Sequence, residues 1–222
     1  MKKIFGYKNL ISLLEKEGFI SNETFPKNTI LDMNDTDYVY IIREGLVTSK
    51  LFSEKENVYS FHSKGDFLGF LNIYDQIVKQ MTFLTESRCK FYRIKNEDLR
   101  FFLSFPENVP FTFYIMRNLE EHFYLNSLIF QQQINYRTAQ AFLNITMLLR
   151  DRDKTEEYLL LPNTYYIKKI KLYTQLSSDS FYKQLNLLKE LKIIEKKQNG
   201  LLINSKKLYE FTPKLLKKEN WV

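Results

Sequence analysis

The residues best equipped for chemistry are polar and lie between Ser177 and Lys197. Within Ser178 to Glu190, Phe181, Leu185 and Leu188 recur at three- and four-residue spacing, which predicts an amphipathic helix. Ser180, Tyr182, Lys183, Gln184, Asn186 and Lys189 occupy the rest of its surface. Such side chains can read or hold a polyanion: serine donates or accepts, aspartate accepts from cytosine, and lysine donates to guanine. Ser177, Ser178 and Asp179 have a second use, because their oxygens can take up the free N–H groups of a first helical turn. Asp179 reads equally as a base-edge acceptor and as a first-turn charge favoured by the helix dipole.

These groups need a frame, and the neighbouring sequence supplies one. Ile170, Tyr173 and Leu176 give the preceding segment its own apolar stripe. After Leu191, Ile193 and Ile194 begin a strand, Asn199-Gly200 is a strong hairpin signal, and Leu201 to Asn204 returns. Helix, tight turn, helix and basic hairpin over Tyr165 to Asn204 form the winged helix-turn-helix pattern, whose second helix enters a DNA major groove. The same elements are also common packing units in α+β proteins, but charge favours the nucleic-acid reading. Residues 151–222 hold 15 Lys/Arg against 9 Asp/Glu, a net of +6, whereas residues 1–150 hold 18 against 17, a net of +1. A phosphate backbone rewards that concentration through counterion release. The tail lysines Lys214, Lys217 and Lys218 read equally as a solvated face.

Composition narrows the class. A hydrophobic content of 44% and an aromatic content of 16% are ample for a folded core, and 222 residues with a charge break favour two domains. No run reaches the roughly 18 apolar residues of a membrane span. Met1 to Gly6 is basic, but Lys8 and Asn9 interrupt any secretory h-region, so a cytoplasmic protein without membrane association is expected. Cys89 is the only cysteine, which excludes an intramolecular disulfide and a cysteine-held cluster. There is no glycine-rich phosphate loop, metal-ligand spacing or nucleophile with an evident base. An enzyme is not expected, no metal is expected, and the cofactor, if any, is unknown.

Upstream, Tyr7 to Glu17 predicts a short helix stopped by Gly18. Phe25 to Ile94 has the texture of short strands between turns: Tyr38–Ile42, Leu46–Phe52, Val58–Phe61, Met81–Thr85 and Cys89–Ile94. Glu44-Gly45, Glu54 to Asn57 and Ser63 to Asp66 are the turns, and the set suggests a sandwich or jelly roll. Asn96 is expected to cap a helix to Leu103, and the Ser104–Pro110 stretch to break it. A long helix follows from about Pro110 to about Ile134. Met116, Leu119, Phe123, Asn126 and Phe130 have the spacing of a two-stranded coiled-coil seam, and Asn126 could fix its register. Ile115, Leu125, Leu128 and Ile129 on other faces leave open a helix buried on several sides within one chain. Arg137 to Leu149 predicts one more helix, and Asp151 to Lys154 a charged turn.

Sandwich, long helix and winged helix-turn-helix follow in that order. Tyr38-Val39-Tyr40-Ile41-Ile42-Arg43-Glu44-Gly45, Lys64-Gly65-Asp66-Phe67-Leu68-Gly69 and Cys89-Lys90-Phe91-Tyr92-Arg93-Ile94 resemble segments of the Crp/Fnr family of bacterial transcription regulators. The resemblance implies an α+β fold: a cyclic-nucleotide-binding-like sensor domain over 1–109, a dimerisation helix over 110–135 and a DNA-binding domain over 136–222. It further implies a homodimer on a palindromic double-stranded DNA site, with RNA polymerase as a partner. Mapped onto this chain, the base-edge positions of the recognition helix are Ser178, Asp179 and Lys183. Ser177, Ser180, Tyr182, Lys196 and Lys197 are candidate backbone contacts. Phe67, Phe70, Tyr74, Lys79, Tyr92 and Tyr124 are candidate contacts for a small-molecule or peptide effector, and each also reads as core or surface.

Departures from the family pattern argue against cyclic AMP. Phe70 stands where nucleotide-binding members carry a ribose-binding Glu, and Lys79-Gln80-Met81 stands where they clamp the cyclic phosphate. Lys79 lacks the fork of a guanidinium. Lone Cys89 excludes the iron–sulfur branch, and Gln175 replaces the usual turn glycine, so a less regular turn is expected. His62 and His122, the only imidazoles, read as surface or hydrogen-bonded groups, with haem ligation the other reading. The alternative function is a ligand-sensing or scaffold protein whose winged helix binds protein rather than DNA.

Overall fold

A computed structural model describes residues 6–33, 37–51, 56–74, 81–149 and 157–213. These fall into two compact units, one within residues 1–54 and 60–123, the other within 55–59 and 124–222. Phe52, Lys79, Gln80, the Asp151–Lys154 turn and the tail lysines lie outside the described residues.

The first unit opens with helix α1 (Tyr7–Lys16), then strands β1 (Ser21–Phe25), β2 (Ile30–Asp32), β3 (Tyr38–Glu44), β4 (Val47–Leu51), β5 (Ser60–His62) and β6 (Phe67–Leu68). A 3-10 segment (Phe70–Tyr74) leads to β7 (Met81–Thr85), β8 (Cys89–Lys95) and helix α2 (Asn96–Ser104). Helix α3 (Val109–Gln131) starts after a 3-10 turn at Pro106–Asn108. The strands form two antiparallel four-stranded sheets, ordered β1-β8-β3-β6 and β2-β7-β4-β5.

Strand β3 is apolar at every residue from Val39 to Ile42 because both of its faces are covered. Val39 and Ile41 join Leu10, Leu14, Phe67, Phe70, Leu99 and Ile115 in one core. Tyr40 and Ile42 join Val47, Leu68, Phe83, Cys89 and Phe91 in the other. Period-two alternation thus divides a single strand between two cores. The β3–β4 connection turns at Gly45, whose φ of +107° lies in the left-handed region, and the β3–β8 register shifts between Ile42 and Glu44. A Cβ there would meet Cys89 Sγ at 2.6 Å and the Arg88 carbonyl oxygen at 2.8 Å.

The second unit contains helices α4 (Arg137–Leu149), α5 (Ile167–Thr174), α6 (Ser178–Glu190) and α7 (Ser205–Phe211). Its strands β9 (Tyr158–Pro162), β10 (Ile194–Lys197) and β11 (Gly200–Asn204) form one antiparallel sheet, ordered β10-β11-β9. Phe142, Ile145, Ile170, Tyr173, Phe181, Leu185, Leu188, Ile194 and Ile203 are buried. A chain of buried amides runs through the helices. Gln132 Nε2 donates to Gln140 Oε1 at 3.2 Å, Gln140 Nε2 donates to Asn144 Oδ1 at 2.8 Å, and Asn144 Nδ2 donates to the Tyr173 hydroxyl at 3.2 Å. Burial holds the Tyr173 phenol well above its usual pKa, so it stays protonated.

Several elements differ from the sequence expectation. Strands β1, β2, β6 and β9 and helix α7 are additional to it, and the strand expected over Val58–Phe61 is Ser60–His62. Asn96 is the first residue of α2, not its cap; Lys95 holds the extended N-cap position and makes no side-chain cap bond. The long helix ends at Gln131, and Ile134 begins a separate 3-10 turn.

On α3, Phe111, Ile115, Asn118, His122, Leu125 and Ile129 are buried at alternating four- and three-residue spacing, and Leu128 is buried as well. The expected seam divides: Met116, Phe123 and Phe130 are exposed, whereas Leu119 and Asn126 are half-buried. Leu119 packs on the core of the first unit, and Asn126 hydrogen-bonds the Tyr59 phenol in the second.

The Gly45 geometry yields a stability prediction. Gly45→Ala combines left-handed backbone strain with a clash against Arg88 and Cys89, and overpacking of this kind costs about 1–3 kcal/mol. The urea midpoint should fall accordingly, with the slope unchanged; an unaltered midpoint would count against the turn as described.

Candidate functional site

Helix α6 is anchored on one side and open on the other. Phe181, Leu185 and Leu188 are buried, and so is Gln184, which sits on the same face. The Gln184 amide accepts from the Thr138 N–H at 3.1 Å and donates to the Ile134 carbonyl at 2.9 Å and the Ser180 hydroxyl at 3.2 Å. The first two bonds fix the roll of α6 about its axis. Ser177 is the N-cap, and its hydroxyl accepts from the Ser180 N–H at 3.3 Å. Gln175 adopts φ +55° and ψ +26°, the left-handed conformation a glycine would take more readily, so the turn forms without its glycine.

The outward face carries most of the residues singled out in the sequence. Ser177, Ser178, Asp179, Tyr182 and Lys183 are exposed, and Ser180 is half-buried. The Ser178 hydroxyl accepts from Lys171 Nζ at 3.1 Å. Asp179 lies in the first turn of α6, so both sequence readings of it fit its position. On the hairpin, Lys196 and Lys197 are exposed opposite Leu201 and Gly200. Lys197 Nζ pairs with Glu195 at 2.8 Å, which reduces the charge it can offer a ligand.

Of the effector candidates, Phe67, Phe70 and Tyr92 meet in one core. Phe67 and Phe70 are buried in the first unit's core, their rings 6.4 Å apart in an edge-on arrangement. Tyr92 is half-buried, with the Arg43 guanidinium 5.6 Å from its ring centroid. Tyr124 is exposed on α3 and belongs to the second unit. Tyr74 ends the 3-10 segment, and Lys79 lies outside the described residues.

A polar cluster that the sequence did not reveal lies in the first unit. Ser60 and His62 share one face of β5, and Ser49 is opposite Ser60 on β4. Asn118 and His122, four residues apart on α3, meet Asp66 from the turn after β5. His62 Nε2 bonds the Ser49 hydroxyl at 2.9 Å, and His122 Nδ1 bonds the Ser60 hydroxyl at 2.8 Å. Asp66 accepts from the Ser63 N–H at 2.7 Å and from Asn118 Nδ2 at 3.0 Å, and His122 Nε2 lies 3.3 Å from its Oδ1. The imidazole centroids are 4.3 Å apart.

Burial pushes His62 down to about 3, with repulsion from His122 adding to it, so the ring is neutral. Burial alone would raise the Asp66 carboxyl, but His122, His62 and the Ser63 N–H outweigh it and hold the group below its usual range. His62 Nδ1 and Asn118 Oδ1 are buried without a hydrogen-bond partner. Both histidines, for which the sequence left several readings open, are thus buried and hydrogen-bonded. Some sixty residues of chain separate them, which is why no ligand-type spacing was visible.

Comparison with known proteins gives this geometry a context. No curated protein matches the chain. Residues 23–104 match the family model described as cyclic nucleotide-binding domain. Among solved structures, a cyclic nucleotide-binding domain containing protein from Listeria monocytogenes EGD-e is 15% identical with a TM-score of 0.73, covering 90% of this chain and 98% of that one. FixK2 from Bradyrhizobium japonicum is 17% identical with a TM-score of 0.65, covering 89% and 99%. A CRP/FNR family transcriptional regulator from Thermus thermophilus is 15% identical with a TM-score of 0.61, covering 86% and 97%. At these identities the likeness concerns the fold, and that fold is a cyclic-nucleotide-binding β-sandwich with helices, as in regulators of the Crp/Fnr type.

Proposed function

We propose that this chain is a sequence-specific transcription regulator of the Crp/Fnr type, binding a palindromic double-stranded DNA site as a homodimer. The observation that carries the reading is α6: its apolar face and Gln184 are locked inward, while Ser178, Asp179, Tyr182 and Lys183 face outward together. With α5 and the β10–β11 hairpin it makes a winged helix-turn-helix, in which the second helix reads base edges and the hairpin lysines meet phosphate. None of the three base-edge candidates has arginine's bidentate reach, so DNA shape and phosphate contacts carry much of the selectivity. RNA polymerase is a further partner on this reading, and the cytoplasm is the compartment.

The apolar stripe of α3 supports the homodimer. Phe113 is 69% exposed, Phe123 68%, Met116 46% and Phe130 43%. A helix bearing four such side chains outward gains by covering them against a second copy.

Control by cyclic AMP does not fit the residues. Phe70 is 1% exposed within an apolar core, where it offers no acceptor to a ribose hydroxyl. The aromatic-rich sensor resembles that of the listerial positive regulatory factor A on this reading. A small molecule or peptide effector, or none, is the reading that follows.

Three outcomes test these statements. Lys183→Ala should cost about 1–3 kcal/mol on the preferred site and blur preference at one position per half-site. Gel retardation across a salt series measures it, and equal loss on random DNA would reduce Lys183 to a phosphate contact. Phe123→Glu and Phe130→Glu should each give monomers in sedimentation, because burying one Phe contributes roughly 1.5–3 kcal/mol; an unchanged dimer in both would move the interface elsewhere. Isothermal titration with cyclic AMP and cyclic GMP should show no micromolar binding. Two missing charged hydrogen bonds cost roughly 3–6 kcal/mol together, about two to four orders of magnitude in affinity.

A further inference from the structure

We infer that His62, Asp66 and His122 form a binding site for a divalent first-row transition-metal ion. One ring nitrogen of each histidine and one carboxylate oxygen of Asp66 lie within 4.8 Å of one another, and all three residues are buried. Two imidazoles and one carboxylate are a donor set suited to zinc or iron(II), with a fourth position open. Donors held about 2.0–2.1 Å from a zinc ion sit roughly 3.3 Å apart, and His122 Nε2 and Asp66 Oδ1 already have a 3.3 Å separation.

The surroundings fit the same reading. A ligating histidine normally has its far nitrogen fixed by a hydrogen bond, which sets the tautomer and the ring orientation. Ser49 does this for His62 through Nε2, and Ser60 does it for His122 through Nδ1. The nitrogens left to face an ion are then His62 Nδ1 and His122 Nε2. In the loaded site each far nitrogen carries the proton and donates it to its serine. A buried Asp66–His122 hydrogen bond accounts for those two residues without any ion. It does not account for His62 Nδ1, which is buried with no partner, nor for Asn118 Oδ1, orphaned on the residue that bonds Asp66. Two neutral imidazoles and one carboxylate leave a bound dication with a single net positive charge, far easier to bury than two. His62 lies on β5, Asp66 on the following turn and His122 on α3, so ligation ties the helix to the sandwich.

This site does not depend on the DNA-binding reading, and its test needs no DNA. The full chain, stripped with a chelator, is dialysed against zinc and separately against cobalt(II). One ion should bind per chain, with the visible absorption of a low-coordinate cobalt site, and magnesium should not compete. His62→Gln and His122→Gln should each weaken zinc binding roughly 100-fold or more, since losing even an outer hydrogen-bond partner costs about 10–100-fold. Uptake of neither ion by the wild type, or unchanged affinity in both variants, overturns the assignment. Should the variants fail to fold, the wild type suffices, because His62 and His122 are the only imidazoles in the chain. X-ray absorption of the zinc-loaded protein should then show two imidazole ligands, and fewer than two overturns the site.

Discussion

A buried carboxylate that must be fully solvated by protein organises the first unit. Asp66 is nearly inaccessible and ionised, and it receives the Ser63 N–H, Asn118 Nδ2 and His122 in place of water. Leaving such a charge unpaired would cost several kcal/mol, so its donors are fixed in position by its demand. Asn118 and His122 are four apart, one helical turn, and they present both donors from one face of α3. The helix is thereby held at a set rotation and a set axial position against the turn after β5. An apolar contact alone would tolerate sliding by a fraction of a residue; a two-point hydrogen-bonded one does not.

The second unit solves the same problem with neutral groups. Gln184 on α6 uses its amide oxygen and nitrogen on the Thr138 N–H and the Ile134 carbonyl, where the backbone leaves its 3-10 turn and enters α4. The Thr138 N–H is one of the donors that a helix start leaves without partners, and the Ile134 carbonyl also accepts from the Arg137 N–H. One side chain therefore satisfies a helix terminus and aims the outward face of α6. The Gln132–Gln140–Asn144–Tyr173 chain continues the pattern into α5. Buried polar networks of this kind specify one packing arrangement over others, and a helix that presents its polar face at a defined angle needs that specification.

Legibility in the sequence followed from how local each cause was. Helices α4 and α6 and strand β7 occupy the residues their periodicity predicts, because spacing, caps and turn residues act within a few positions. Strand β1 is not legible because Ser-Asn-Glu-Thr-Phe lacks apolar alternation; it forms through pairing with β8, a long-range cause. Strand β9, Tyr158–Pro162, ends in proline, and only its pairing with β11 explains it. Gln175 suggests a looser turn, yet it adopts a left-handed conformation that asparagine or glycine would favour. The outward face of α6 was readable since its residues are contiguous. The His62–Asp66–His122 cluster was not, since it depends on the register of β4 with β5 and on the rotation of α3.

That rotation also sets which stripe of α3 is exposed. It carries two heptad-like stripes about 100° apart, one residue out of phase. The stripe at Phe111, Ile115, Asn118, His122, Leu125 and Ile129 turns inward although two of its members are polar. The stripe at Met116, Phe123 and Phe130 is the more apolar of the two and turns outward. Hydrophobicity alone ranks them in the wrong order. Asp66 decides the matter, since the helix face that can donate to a buried carboxylate must face it, whatever the apolar residues next to it would prefer. The outward apolar stripe is the consequence: among the described residues it stays exposed, on a helix whose residues fall in both units.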